Sequence, residues 1–271
     1  MQYENGIHEI SNNEYHASEG ISRSMLMDFK RSPHHYWYKH ISGKYIKEDS
    51  TPAMNLGSAV HTLVLEVMKF DQEFFVTEQE TMPRKGTPAL QKVLDEANGR
   101  IVLPNSLYIQ ALELTKAVKS NEDCLLLLED CHVEQSIYFT HKQTGLQIKV
   151  RPDAWLGSMI IDLKTAADAS HKAFQREAVN RGYFTQAAMM SYALESIDQE
   201  LESFIDIVVE KSEPYPIAIY QLSDNAIEAA KKQFDDLMLG LKYCMDNNSW
   251  PSYGIRTLEI PKWAEELEIL E

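Results

Sequence analysis

The chain has 271 residues, 44% of them hydrophobic and 10% aromatic, enough to bury a sizeable core in one large domain or two small ones. Its formal net charge of −15 argues against a protein that coats nucleic acid without specificity, because such binders are basic. It leaves room for an enzyme with a local basic groove and a cluster of metal-binding carboxylates.

The first 125 residues read as mainly helical. In SRSMLMDFKRS, Ser22 or Ser24 can cap a short helix, and in SPHHYWYKH, Ser32 caps with Pro33 at the first helical position. LGSAVHTLVLEVM (56–68) reads as a mostly buried helix. Residues 77–99 read as loop with one helix, PALQKVLDEANG, and a further helix is predicted over 105–121. Residues 126–271 change period. EQSIYFT, the turn KQTG, LQIKVRPD and SMIIDLKT read as three consecutive antiparallel strands. Helices follow at about 170–180 and 183–196, then the strands FIDIVVEK and YPIAIYQL around the turn SEPYP, then an amphipathic helix over 223–245. No repeat or linker divides the chain. The expectation is one α/β (mixed α+β) domain, a central mixed sheet flanked by helices with a helical N-terminal region.

No apolar run reaches membrane-spanning length, and the start MQYENGIHEI lacks the regions of a secretion signal. Three scattered cysteines, Cys124, Cys131 and Cys244, suit a reduced compartment. A cytoplasmic protein without membrane association is expected.

Strand side chains alternate with period two. In IIDLKT, Asp162 and Lys164 therefore share a face. In LQIKVRPD, Lys149, Arg151 and Asp153 share one, and in EQSIYFT, Glu134, Ser136 and Tyr138 do. Three neighbouring strands can gather Glu134, Asp153, Asp162 and Lys164 over one patch. Carboxylates so close repel unless a cation sits between them or a proton is shared. All-oxygen ligands favour magnesium or manganese. The lysine weakens metal binding, so its presence makes sense if it acts on a water or on charge developing on a phosphate.

Pro-Asp, a spacer, then Asp-x-Lys on consecutive strands is the pattern of the PD-(D/E)xK nuclease superfamily. The chain resembles the RecE-like exonucleases within its RecB-related group. The matching stretches are GIHEISNNEYH, GISRSML, LGSAVHTLVLE, EQSIYF with TGLQIKVRPD, IIDLKTAAD, GYFTQAAMMSYAL and NSWPSYGIRTLEIPKWAEE, in the family order and over nearly the whole chain.

The resemblance implies that His61 completes a metal site with Asp153, Asp162 and the backbone carbonyl of Leu163, holding Mg2+ or, in its place, Mn2+. Lys164 becomes the catalytic lysine, Gln186 the family's glutamine beside it, and Glu134 a supporting acid. Glu66, about 140° around the helix from His61, supports rather than shares a metal. Tyr183 matches the family, whereas the tyrosine expected four residues after Gln186 is replaced by Met190, with Tyr192 two further on. Ser22, Arg23 and Ser24 stand where the family has a Ser-basic-Ser signal suited to a terminal phosphate. Lys172 and Arg176, spaced i, i+4, and Arg151 are further DNA-contact candidates, with Arg181 and Lys149 close in sequence.

The implied activity is 5′-to-3′ digestion of linear double-stranded DNA, leaving 3′ single strands for a phage-type (RecT-like) annealing recombinase, from a homotetrameric ring. Two other readings stay open on the residues alone: an endonuclease of the same superfamily, and a degenerate DNA- or partner-binding scaffold. An iron–sulfur nuclease needs four ligating cysteines and three exist, so no iron–sulfur cluster is expected. The aromatic run HHYWYKH reads as packing and the acidic tail AEELEILE as a solvated face.

Overall fold

The computed structural model describes residues 1–260, so the acidic tail AEELEILE lies outside the described residues. The first part runs β1 (Gly6–His8), α1 (Asn12–Ala17), α2 (Arg23–Arg31), α3 (Pro33–His40), α4 (Pro52–Leu65), α5 (Phe70–Glu73), β2 (Phe74–Thr77), α6 (Pro88–Ala97), β3 (Ile101–Pro104), α7 (Asn105–Lys119) and α8 (Glu122–Leu128). Then come β4 (His132–Val133), β5 (Ser136–Thr140), β6 (Gln147–Val150), β7 (Ala154–Leu156), β8 (Met159–Ala166), α9 (His171–Arg181), α10 (Tyr183–Glu195), β9 (Ser203–Glu210), β10 (Ile217–Gln221) and α11 (Asp224–Asp246).

Three of the helices start the same way. Ser32, Thr51 and Thr87 each accept a backbone N–H in the first turn of α3, α4 and α6, and a proline follows each at the first helical position. The hydroxyl satisfies an otherwise orphaned donor, and proline has none to orphan.

The main sheet has the order β10-β9-β8-β7-β4; β8 and β9 are parallel and the other pairs antiparallel. A second sheet is β1-β5-β6, and β2 pairs in parallel with β3. This corrects the expectation of three consecutive antiparallel strands. β5 and β6 do form a hairpin, but β8 pairs with the three-residue β7 and lies in the other sheet. Pro152 has no N–H for a ladder, so the chain leaves β6 there, bends, and enters the main sheet.

β8 and β9 are covered on both faces. Ile161, Leu163, Ile207 and Val209 pack with Leu56, Val60 and Leu63 of α4 and Leu114 and Val118 of α7. Ile160 and Phe204 pack on the opposite face with α10 and α11, and Ala166 and Val208 pack with Phe174 of α9. Each such fully buried aliphatic chain contributes about 1.5–3 kcal/mol. α10 is apolar nearly all round and also reaches β5 and β6, so its run of small residues lets it sit between the two sheets. Gly182 makes the entry to α10 possible: its φ is +71°, and a Cβ there would collide with Met27 Sδ. Two strands buried on both faces should read as continuous apolar runs. Asp162, Lys164 and Asp206 break that rule.

Candidate active site

Asp162 and Lys164 lie two residues apart on one face of β8, under α10. Lys164 Nζ forms an ion pair with Asp162 Oδ2, and it donates to Gln186 Oε1 on α10 at 3.3 Å. Gln186 Nε2 in turn donates to Asp162 Oδ1 at 2.5 Å, closing a three-residue ring. The Tyr183 ring, one helical turn before Gln186, lies 4.4 Å from the lysine nitrogen.

The second part of the site forms where the chain crosses between sheets. Asp153, at the bend after Pro152, accepts the backbone N–H of Leu163 at 2.7 Å. In an extended strand a residue's N–H and C=O point to the same edge, so the Leu163 carbonyl is directed to that side as well. α4 approaches β8 at Gly57, where an added Cβ would touch Thr165 Oγ1 at 3.6 Å, and one turn later His61 Nδ1 stands 3.3 Å from Asp153 Oδ2. Glu134 joins them from the link between β4 and β5. Its φ is +49°, uncommon for a residue with a side chain, and its N–H donates to the Asp153 carbonyl at 3.1 Å. Ligand atoms of His61, Glu134 and Asp153 lie within 4.8 Å of one another. His61 and Glu134 open onto a cleft of about 600 Å³ that Leu163, Lys164, Arg23, Arg181 and Tyr183 also line.

The electrostatics are those of too many acids in one place. Burial, then Asp153, hold Glu134 up to about 7 despite its ion pair with Arg151. Burial, then Asp153, also raise Asp162, with Lys164 opposing. Burial raises Asp153 too, but His61 and Lys164 overcome it, and its carboxyl is held below the ordinary aspartate range. For His61 burial acts downward, yet Asp153, Glu134 and Asp162 lift it to about 9. Lys164 is likewise lifted by Asp162 and Asp153 against its burial. Each of these acids has one cationic neighbour, Arg151 at Glu134, His61 at Asp153 and Lys164 at Asp162, yet Glu134 and Asp162 stay raised, as expected of a cradle with room for further positive charge.

The structure brings His61, Glu134 and Asp153 together and places Asp162, Lys164, Gln186 and Tyr183 beside them. Two placements differ from expectation. Glu134, read as a supporting acid, stands among the closest potential ligands. Arg151, read as a DNA contact, is half-buried and engaged within the protein: it donates to Glu134 at 2.6 Å, Ser136 at 2.8 Å and the Ile10 carbonyl at 3.0 Å. Lys149 is buried, donating to the Tyr15 and Ser18 carbonyls. Both strand cations fasten the N-terminal segment. Glu66 ends α4, pairs with Lys69 and lines the cleft away from His61.

Ser22 and Ser24 share a hydroxyl–hydroxyl contact of 3.0 Å at the start of α2. Arg23 between them lies 5.5 Å from the Tyr183 ring and lines the cleft. Lys172 and Arg176 are exposed on α9, whereas Arg181 of that helix reaches the cleft, paired with Glu177 at 2.6 Å. Tyr192 points elsewhere: its hydroxyl donates to Asp235 of α11 at 3.0 Å. With Tyr183 over the lysine, the altered spacing leaves the site's aromatic position filled.

One acid was not anticipated. Asp206 of β9 is in register with Asp162 across the parallel pair, is 1% exposed, and its Oδ1 has no hydrogen-bond partner. Burial, then Asp162, raise it to about 7. The signal was available, since an aspartate interrupts FIDIVVE just as Asp162 interrupts MIIDL.

Fold and site together define a PD-(D/E)xK domain. The family model for the PDDEXK-like domain of unknown function (DUF3799) matches residues 22–257, and the chain belongs to that family. A candidate exonuclease from Eubacterium rectale superposes with a TM-score of 0.59 at 16% identity, over 94% of this chain and 96% of that one. A phage-related exonuclease from Haemophilus somnus aligns over 64% of this chain and 93% of that one at 12% identity, with a TM-score of 0.33, too remote to argue from. Curated proteins give no match. Among the described residues, no helix is long and apolar enough to cross a membrane.

Proposed function

We propose that this chain is a metal-dependent exodeoxyribonuclease that digests one strand of linear duplex DNA from the 5′ end. The observation that carries it is the pairing of Asp162 and Lys164 on one strand face beside the His61–Glu134–Asp153 cluster, open to a cleft. Helical and sheet-containing parts both contribute, which supports residues 1–271 acting as one domain.

His61, Glu134 and Asp153, with Asp162 and the Leu163 carbonyl adjoining, would hold Mg2+ or Mn2+. When bound, such an ion supplies Lewis-acid charge and an activated water. Lys164 remains an ammonium at neutral pH because its acid neighbours hold its proton on. It therefore serves as a donor to charge developing on the phosphate rather than as a proton acceptor. Gln186 fixes the distance between Asp162 and Lys164 by bonding both. Arg23 and Arg181 supply positive charge at the cleft wall, and Ser22 and Ser24 add hydroxyls suited to a terminal phosphate. Exposed Lys172 and Arg176 extend that track.

A chain at −15 holds duplex weakly through phosphate neutralisation alone. A closed homotetramer would keep it on DNA by topology, and closed symmetry is the common form of homo-oligomer. A single-strand annealing recombinase would take the 3′ strand produced.

The test compares linear duplexes labelled at either end with covalently closed circles, in Mg2+, Mn2+ or chelator. The reading expects early loss of the 5′ label, intact circles and no digestion in chelator. Cutting of closed circles would make the protein an endonuclease, and metal-independent or absent cleavage would overturn the reading.

A further inference from the structure

Asp206 sits in the same layer as Asp162 and Lys164, and its buried Oδ1 has no hydrogen-bond partner among the described residues. Neighbouring residues in register on parallel strands present their side chains to the same face. Asp162 and Asp206 therefore stand side by side beneath α10, both 1% exposed. Lys164 lies one pleat further along, opposite Val208. Strand spacing and rise put its backbone about 8 Å from that of Asp206, a gap that the flexible four-carbon stem of lysine can bridge.

In the structure the ammonium goes to Asp162, and Gln186 occupies the other oxygen of that carboxylate. Asp206 gets neither, and its Oδ1 is buried without a bond. A buried carboxylate with no donor destabilises a fold, and an asparagine or leucine at this place would relieve it. Aspartate in the middle of an otherwise apolar strand thus calls for a use that the resting arrangement does not reveal.

We propose that Asp206 is a positioning residue that receives the Lys164 ammonium when Asp162 turns its charge toward a bound cation. The site then keeps one counter-charge for the lysine in each state: Asp162 without the ion, Asp206 with it. Lys164 stays aligned with the cleft instead of following Asp162 or swinging into solvent. The inference rests on the nuclease reading above and deepens it.

Four proteins test it: wild type, Asp206→Asn, Lys164→Ala and the double variant. Each is measured for kcat and KM on linear duplex, for Mn2+ affinity by calorimetry and for Tm. Asp206→Asn should lower kcat about 10–100-fold, the range for residues that orient a group in a metal site. Its KM for DNA and its Mn2+ affinity should stay within about two-fold of wild type, and its Tm should be equal or higher. In the Lys164→Ala background the same change should add nothing, because the group it positions is gone.

Reductive methylation of Lys164, followed by mass spectrometry in the Mn2+-loaded protein without DNA, reads the contact without turnover. It should be faster in Asp206→Asn. The proposal is overturned by wild-type kcat in Asp206→Asn, by an undiminished loss in the Lys164→Ala background, by a fall in Tm that tracks the fall in rate, or by unchanged methylation. An inactive wild-type protein would instead refute the nuclease reading, and the methylation rate would still decide the contact.

Discussion

Two buried polar networks in this molecule invite comparison. Far from the cleft, His141 bonds Thr144 Oγ1 at 2.8 Å and Asp235 Oδ1 at 3.2 Å, and Tyr192 donates to Asp235 Oδ2 at 3.0 Å. Lys231 reaches Glu195 at 2.7 Å and lies 4.8 Å from the Tyr192 ring. Both acids there have donors, and the network ties the β5–β6 turn and α10 to α11. Beneath the cleft the composition is similar but the balance is not. Glu134, Asp153, Asp162 and Asp206 are four acids against three cations, Arg151, His61 and Lys164, and the buried Oδ1 of Asp206 has no hydrogen-bond partner among the described residues. A closed network stabilises a fold. An open one of like charges costs stability and is retained where it binds or reacts.

The difference can be broken from either side. The largest effect is expected from Asp162→Ala, which should reduce digestion of linear duplex to assay background while leaving Tm unchanged or raised, since one repelling carboxylate is gone. Digestion near the wild-type rate would place the site elsewhere. Next, Lys164→Ala should slow turnover by about 10²–10³-fold, the usual effect of removing one electrostatic group from a transition state. It should still bind Mn2+; calorimetry showing metal loss as severe as in Asp162→Ala would make the lysine structural.

The open network should also set how stability depends on pH in chelated protein. Glu134 and Asp206 are raised to about 7 in the fold from ordinary carboxylate values near 4. From about pH 4 to 7 the unfolded chain releases protons that the folded one keeps, so stability falls as pH rises. His61, raised to about 9, continues the fall above its unfolded value near 6.5. Tm in chelator should therefore decline from pH 5 to pH 8.5, and saturating Mn2+ should flatten the curve. A Tm that rises over that interval would contradict the assigned directions.

The closed network gives the smallest effect. Tyr192→Phe should cost about 1.5–3 kcal/mol of stability, the range for one hydrogen bond to a charged group. It should leave nuclease activity unchanged, and a large activity loss would return Tyr192 to the site.

What could be read beforehand follows the same physics. β8 is eight residues long and strand side chains alternate in direction, so the shared face of Asp162 and Lys164 was legible from their spacing of two. α4, α7, α9, α10 and α11 were legible from apolar spacing, and α2 and α3 from their capping serines, although α4 starts at Pro52, four residues before the apolar run that marks it. Strands of two or three residues, β1, β4 and β7, are too short to show a period, and the switch of sheets at Pro152 depends on them. His61 carried no local signal, since a histidine on an apolar helix is usually a packed one; only the resemblance singled it out. Glu134 enters through a left-handed residue between strands, and no periodicity predicts where such a side chain points. Arg151 and Lys149 share the polar face of their strand as expected, and that face meets the N-terminal segment. Asp206 carries the same signal as Asp162, an aspartate inside an apolar strand, but belongs to no motif.

The central claim is that the acid cluster is a metal site serving a nuclease. Crystals soaked in Mn2+ and measured at the manganese edge test it most directly. The account predicts an anomalous peak among His61, Glu134 and Asp153, with Asp162 alongside. Manganese-dependent digestion of DNA by the same protein, with no peak there or with manganese bound elsewhere, would contradict it.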